Sequence, residues 1–97
     1  MRTRERDIEA YLIKSVKAAG GLSYKWTSPG ADGVPDRIVI MPGGRVYFCE
    51  LKADDGRLSG MQSYQIRRLK TLGCGVYVLR GRRGVDDFLK EITGDNK

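Results

Sequence analysis

Asp36 follows Pro35 directly, and further along Glu50 and Lys52 stand on either side of Leu51. Side chains alternate along a strand, so Glu50 and Lys52 project to one face and Leu51 to the other. Two carboxylates and an ammonium at one point suit a divalent cation and an activated water, the equipment that cuts phosphodiesters. Hard cations take oxygen ligands, and Mg²⁺ is typically held by one or two carboxylates, with water and phosphate completing an octahedron. Asp36 and Glu50 fit that role, with Mg²⁺ or Mn²⁺ as the expected cofactor.

Bringing these residues together requires a hairpin in one phase. Residues 38–41 and 45–48 are β-rich runs around Pro42-Gly43-Gly44, a turn signal. If those three residues form the turn, Met41 opposes Arg45, Ile40 opposes Val46, Ile38 opposes Phe48 and Asp36 opposes Glu50. Opposed residues share a face with Cβ atoms ~5 Å apart. A two-residue turn would shift the register by one and send Asp36 to the wrong face. The chemistry therefore predicts an odd-length turn, or a bulge that restores the phase.

The surrounding residues extend the pattern. Ser28-Pro29-Gly30, Gly33-Val34-Pro35-Asp36-Arg37, Pro42-Gly43-Gly44-Arg45-Val46, Glu50-Leu51-Lys52-Ala53 and Leu58-Ser59-Gly60-Met61-Gln62 follow one another in this order. Together they resemble the virus-type replication-repair nuclease (VRR-NUC) family of the PD-(D/E)xK nuclease superfamily, across nearly the whole chain from about Glu5 to Leu89. Pro-Asp and Glu-x-Lys alone are common; the linked set is specific. The resemblance implies a restriction-endonuclease-like α/β fold, a mixed β-sheet flanked by helices. It also implies that the Leu51 backbone carbonyl joins Asp36 and Glu50 as a metal ligand. A Glu on the first helix should complete the site; Glu5 matches that position best and Glu9 second. Gln62 matches the family glutamine and would contact water or phosphate. Lys52 would orient the attacking water and offset charge on the pentacovalent phosphorus. The expected catalytic set is thus Glu5, Asp36, Glu50, Lys52 and Gln62.

Composition narrows the alternatives. The 97 residues suffice for one small domain, 1–97. There is no histidine, which removes His-based acid–base catalysis, the Ser-His-Asp triad and two-Cys-two-His zinc sites. Cys49 and Cys74 are too few for a structural zinc site; both fall in expected strands and read as buried free thiols. No apolar run is long enough to span a bilayer, and the N-terminus reads as an amphipathic helix, so no secretion signal is expected. The expected location is the cytoplasm, a host's cytoplasm if the gene is a phage's. Eighteen Lys and Arg against twelve Asp and Glu leave a formal charge of +6, which favours a polyanionic partner.

The elements expected to hold these residues run helix, three strands, helix, strand, helix (α-β-β-β-α-β-α). The first helix covers 3–19, with Ile8, Leu12 and Val16 as its apolar stripe and Glu5 and Glu9 on a neighbouring face. Residues 22–26 form an edge strand, 28–34 a loop, and 37–41 and 45–53 the hairpin. The second helix, 59–72, is capped by Ser59, with Ile66 and Leu69 inward. A buried strand at 75–79 and a closing helix at 85–92 finish the chain. Between the last two, Arg80, Arg82 and Arg83 surround a glycine loop, 81–84, the expected phosphate clamp. Arg67, Arg68 and Lys70 on the second helix, and Lys14 and Lys17 on the first, are further candidate DNA contacts. Lys25-Trp26 could stack on an exposed base.

Small stand-alone members of the resembled family are like Holliday-junction resolvases, which act as homodimers because a four-way junction presents two symmetric scissile strands. A metal-dependent DNA endonuclease acting on branched DNA as a homodimer is therefore expected. The alternatives are a nicking or flap-cutting nuclease of phage replication or packaging, and a non-catalytic DNA-binding module on the same fold.

Overall fold

The computed structural model describes residues 4–94. Thr3, expected to open the first helix, and the tail beyond Gly94 lie outside the described residues. The order is α1 (Glu5–Ala18), β1 (Leu22–Lys25), β2 (Arg37–Met41), β3 (Arg45–Lys52), α2 (Gly60–Thr71), β4 (Gly75–Arg80) and α3 (Gly81–Thr93). The strands form one sheet in the order β1-β2-β3-β4, antiparallel except for the parallel β3–β4 pair. This is the mixed-sheet, restriction-endonuclease-like α/β architecture expected from the sequence.

The hairpin adopts the phase the chemistry needs. Pro42, Gly43 and Gly44 form the turn, and the ladder pairs Met41 with Arg45, Ile40 with Val46, Ile38 with Phe48 and Arg37 with Cys49. One step beyond the last pair, Asp36 stands across from Glu50.

The two faces of the sheet have different fates. Val39, Met41, Cys49, Leu51 and Leu79 pack with Ile8, Leu12 and Val16 of α1 and Val85, Phe88 and Ile92 of α3 in a single core. The opposite face carries Glu50 and Lys52. There α2, the crossover helix between β3 and β4, buries Ile66 while Val76 is buried on β4, and Leu69 is half-buried. Leu22, Tyr24 and Val46 share this face by register and stay exposed. The face is therefore covered over only part of its width.

The 81–84 segment departs from expectation. It is the first turn of α3 and not a loop. Gly81 has φ +64° and is buried, so the chain turns from strand into helix with no linker. A Cβ at Gly81 would come within 2.0 Å of Asp54 Oδ1. The glycine that read as a loop signal marks a crowded strand-to-helix turn that only glycine fits. Cys74 likewise lies before β4 and is half-buried, whereas Cys49 is fully buried in β3.

Candidate active site

The site lies at one end of the sheet, where the N-termini of α1 and α2 meet the start of β2 and the end of β3. Asp36 precedes β2, and its Oδ2 accepts a hydrogen bond of 2.9 Å from the Leu51 amide. That bond fixes the carboxylate against the end of β3. Glu50 is 1% exposed. Its Oε2 accepts from Gln62 Nε2 at 3.0 Å and lies 3.6 Å from Lys52 Nζ. Its Oε1 is buried without any hydrogen-bond partner among the described residues.

Burial, then the neighbouring Asp36 carboxylate, push the Glu50 pKa up to about 7, while the Lys52 ammonium opposes the rise. A buried, crowded and half-unsatisfied carboxylate is costly. Those costs fall when a cation sits against the free oxygen, so the residues present fit a divalent metal. Among the described residues no three Cys, Asp or Glu side chains converge closely enough to enclose an ion. Two carboxylates and a backbone carbonyl, with water and phosphate oxygens, are nonetheless an ordinary Mg²⁺ set.

Gln62 is held from two sides. Ser59 caps α2 by accepting from the Gln62 amide at 3.1 Å, and Gln62 Oε1 accepts from the Ser59 amide at 2.9 Å, a complete capping box. The loop between β1 and β2 presses on the same turn. Gly33 has φ +82°, and a Cβ there would lie 2.6 Å from the Met61 carbonyl carbon. Gln65 Nε2 donates to the Asp32 carbonyl at 3.1 Å. The residues of α2's first turn therefore aim Gln62 at Glu50.

From the other side, α1 and β1 close a cavity of about 190 Å³ lined by Glu5, Arg6, Glu9, Lys25, Asp36 and Leu51. Both helix glutamates reach it, in different states. Glu9 Oε2 is paired with Arg37 Nη1 at 3.2 Å, and Arg37 is itself buried and donates to Ser23. Glu5 is exposed and has no hydrogen bond or ion pair among the described residues.

Comparison with known proteins agrees with this geometry. The chain is 43% identical over 76 residues to "Putative nuclease p44" of Acyrthosiphon pisum secondary endosymbiont phage 1, spanning 78% of this chain and 82% of that protein. A solved structure described as a VRR_NUC domain superposes with a TM-score of 0.86 at 30% identity, covering 91% of this chain and 96% of its own. The chain belongs to the VRR-NUC family. No family model matches it.

The remaining expected residues of this VRR-NUC chain are scattered. Arg80, Arg82 and Arg83, the expected phosphate clamp, have different partners. Arg80 Nε donates to the Gly56 carbonyl at 3.2 Å, Arg82 lies over the Tyr11 ring at 5.0 Å, and Arg83 is 3.8 Å from Asp87. As first-turn residues of a helix, Arg82 and Arg83 leave the axis in different directions. Arg67 and Arg68 line an open groove on α2 with Tyr64, Thr71 and Leu72, Arg68 lying 5.4 Å from the Tyr64 ring centre; Lys70 is exposed on the same helix. Trp26 is half-buried against Phe48, with ring centres 5.1 Å apart. Cys49 is no nucleophile at neutral pH, since burial pushes its thiol up to about 12. Sequence reasoning missed Arg6 and Arg37. Their signal was available: Arg6 adjoins Glu5, and Arg37 adjoins Asp36 on the strand face that meets α1.

Proposed function

We propose that this VRR-NUC protein is a divalent-metal-dependent DNA endonuclease, and that Asp36, Glu50 and the Leu51 carbonyl would hold one Mg²⁺ or Mn²⁺, with Glu5 completing the site through water. The observation that carries this reading is the unpartnered Oε1 of buried Glu50 beside Asp36. Gln62 and Lys52 serve Oε2, whereas Oε1 has no partner among the described residues to offset its desolvation. When bound, the cation lowers the pKa of a coordinated water and offsets charge on phosphoryl oxygens. Lys52 orients the attacking water and stabilises charge at phosphorus. Gln62 holds Glu50 in place and offers its amide to water or phosphate. Glu9, paired with Arg37, positions the α1 end of the site and is the second choice as a ligand.

The substrate reading is branched DNA, cut by a homodimer in the cytoplasm, with 1–97 as a single domain. Its support is the net charge of +6 and the partly open apolar sheet face. That face includes Leu22 at 53%, Tyr24 at 55% and Val46 at 45% exposure, suited to a second copy of the chain. Among the described residues no helix is long and apolar enough to cross a membrane. The test is cleavage of a labelled four-way junction, a flap and a linear duplex, each with Mg²⁺, Mn²⁺ or EDTA. Cutting of the junction with either metal and none with EDTA is expected. A preference for the flap or the duplex would move the substrate assignment, and no cutting under any condition would leave a DNA-binding module.

A further inference from the structure

We infer that Arg6 and Lys25 form a phosphate seat on the α1 side of the site, gripping the backbone phosphate next to the one that is cut. The inference rests on the nuclease reading above and names how that site would hold its strand. Its starting point is the cavity itself. Three of the six residues that line it are acidic, Glu5, Glu9 and Asp36, and two are basic, Arg6 and Lys25. An anionic strand entering here meets repulsion unless positive charge is waiting. A metal held by Asp36 and Glu50 would offset charge on the scissile phosphate, and the adjoining phosphates would need cations of their own.

Most other cations near the site are engaged. Arg37 is buried and bonded to Glu9 and Ser23. Lys52 is held by Glu50 on the α2 side, and Arg80 donates to the Gly56 carbonyl. Arg6 and Lys25 are exposed and have no hydrogen bond or ion pair among the described residues. Their placement is set by the fold. Arg6 follows Glu5 in the first turn of α1. Lys25 ends β1 opposite Arg37, and opposed residues share a face, so Lys25 lies on the α1 side with Arg37. The next residue, Trp26, donates its amide to the Asp36 carbonyl at 2.9 Å, which ties the end of β1 to the start of the carboxylate segment. Arg6 and Lys25 thus line the cavity on the α1 side of Asp36, while Lys52 stands with Glu50 on the α2 side of the site, outside the cavity.

The competing explanation is that the two cations only relieve repulsion among the acidic residues. Both roles leave Mn²⁺ affinity unchanged or tighter when the charge is removed, so the metal titration checks that the site is intact and the phosphate readouts tell the roles apart. With a phosphate seat, DNA affinity falls. The experiment uses the full chain with Arg6→Gln, Lys25→Gln, the double change and Lys25→Arg. Calorimetry measures Mn²⁺ binding without DNA, and titrations in Ca²⁺ at several salt concentrations measure binding of a junction. A matched junction carries a neutral methylphosphonate in place of the phosphate beside the mapped cleavage position. Each lost contact should weaken DNA binding by about tenfold at low salt and flatten the log–log salt slope by ~0.7–0.9. Lys25→Arg should retain most of the affinity. The methylphosphonate should weaken the wild type but leave the double variant unchanged, because the partner of that phosphate is already gone.

Variants that bind junction as the wild type does, or that lose Mn²⁺ affinity in step with DNA affinity, overturn the seat. So does a methylphosphonate penalty that is the same in wild type and double variant. Failure of the nuclease reading looks different: the wild type itself cuts no substrate with any metal.

Discussion

Ionised Glu50 works against the fold that contains it. Its pKa is about 7 in the folded chain against 4.5 for the free side chain, so the folded state holds the proton more tightly. The resulting contribution to stability is fully present below about pH 4.5 and is lost as pH rises through 7, a difference on the order of 3 kcal/mol. Glu50→Gln keeps the size and an acceptor for Gln62 and removes the charge. In EDTA at pH 8 it should melt higher than the wild type, and at pH 4.5 the gap should close; thermal denaturation at the two pH values checks this. Mn²⁺ should raise the melting temperature of the wild type at pH 8 and leave that of Glu50→Gln unmoved. Asp36→Ala or Glu50→Ala should abolish cutting with folding retained, and near-native turnover in either would exclude the metal assignment. The two helix glutamates separate by consequence. Glu5→Gln should slow cleavage by ten- to a hundredfold at an unchanged melting temperature. Glu9→Gln should act first on stability, because it leaves buried Arg37 short of its charged partner. Single-turnover rates beside melting curves read both, and the reverse ranking would make Glu9 the site carboxylate.

At the scale of elements, the first turn of α2 holds Gln62 against Glu50. Its position is set by the Ser59 cap and by Gly33, whose backbone lies against Met61 and Gln62. Gly33→Ala adds a Cβ at a positive φ and into the Met61 backbone, where nothing soft can yield. We expect a loss of ~1–3 kcal/mol and a fall in turnover, since Gln62 is carried off Glu50. Ser59→Ala should cost about 1 kcal/mol through the cap alone. Turnover measured well below the melting temperature of each variant separates displacement from unfolding, and a Gly33→Ala protein with native turnover would show that Gln62 is dispensable. The hairpin was legible at this scale because a strand has a period of two: without a bulge, an odd turn is needed to put Asp36 and Glu50 on one face. The start of α3 was not. Gly81 and Gly84 read as loop punctuation, yet Gly81 is where strand becomes helix, and the cause is the Asp54 side chain packed against it from a distant loop. No local pattern carries that information.

For the whole molecule, the open sheet face predicts self-association. Leu22, Tyr24, Ile38, Ile40, Val46 and Phe48 share it by register, on the side where α2 covers only part of the sheet. Light scattering should give twice the monomer mass, and Tyr24→Glu with Val46→Glu should give a folded monomer that has lost junction cutting more than metal binding. A wild type that stays monomeric at micromolar concentration would remove the homodimer. Residue order alone determined the candidate carboxylates, the family, the element order and the hairpin register, because these depend on short-range periodicity and on residues within one motif. Tertiary structure decided the rest. It paired Glu9 with a buried arginine and left Glu5 exposed, gave the three arginines around Gly81 different partners, and placed Arg6 and Lys25 in one cavity with Asp36. Each of those outcomes depends on which segments meet in space, and on which charges packing leaves without a partner.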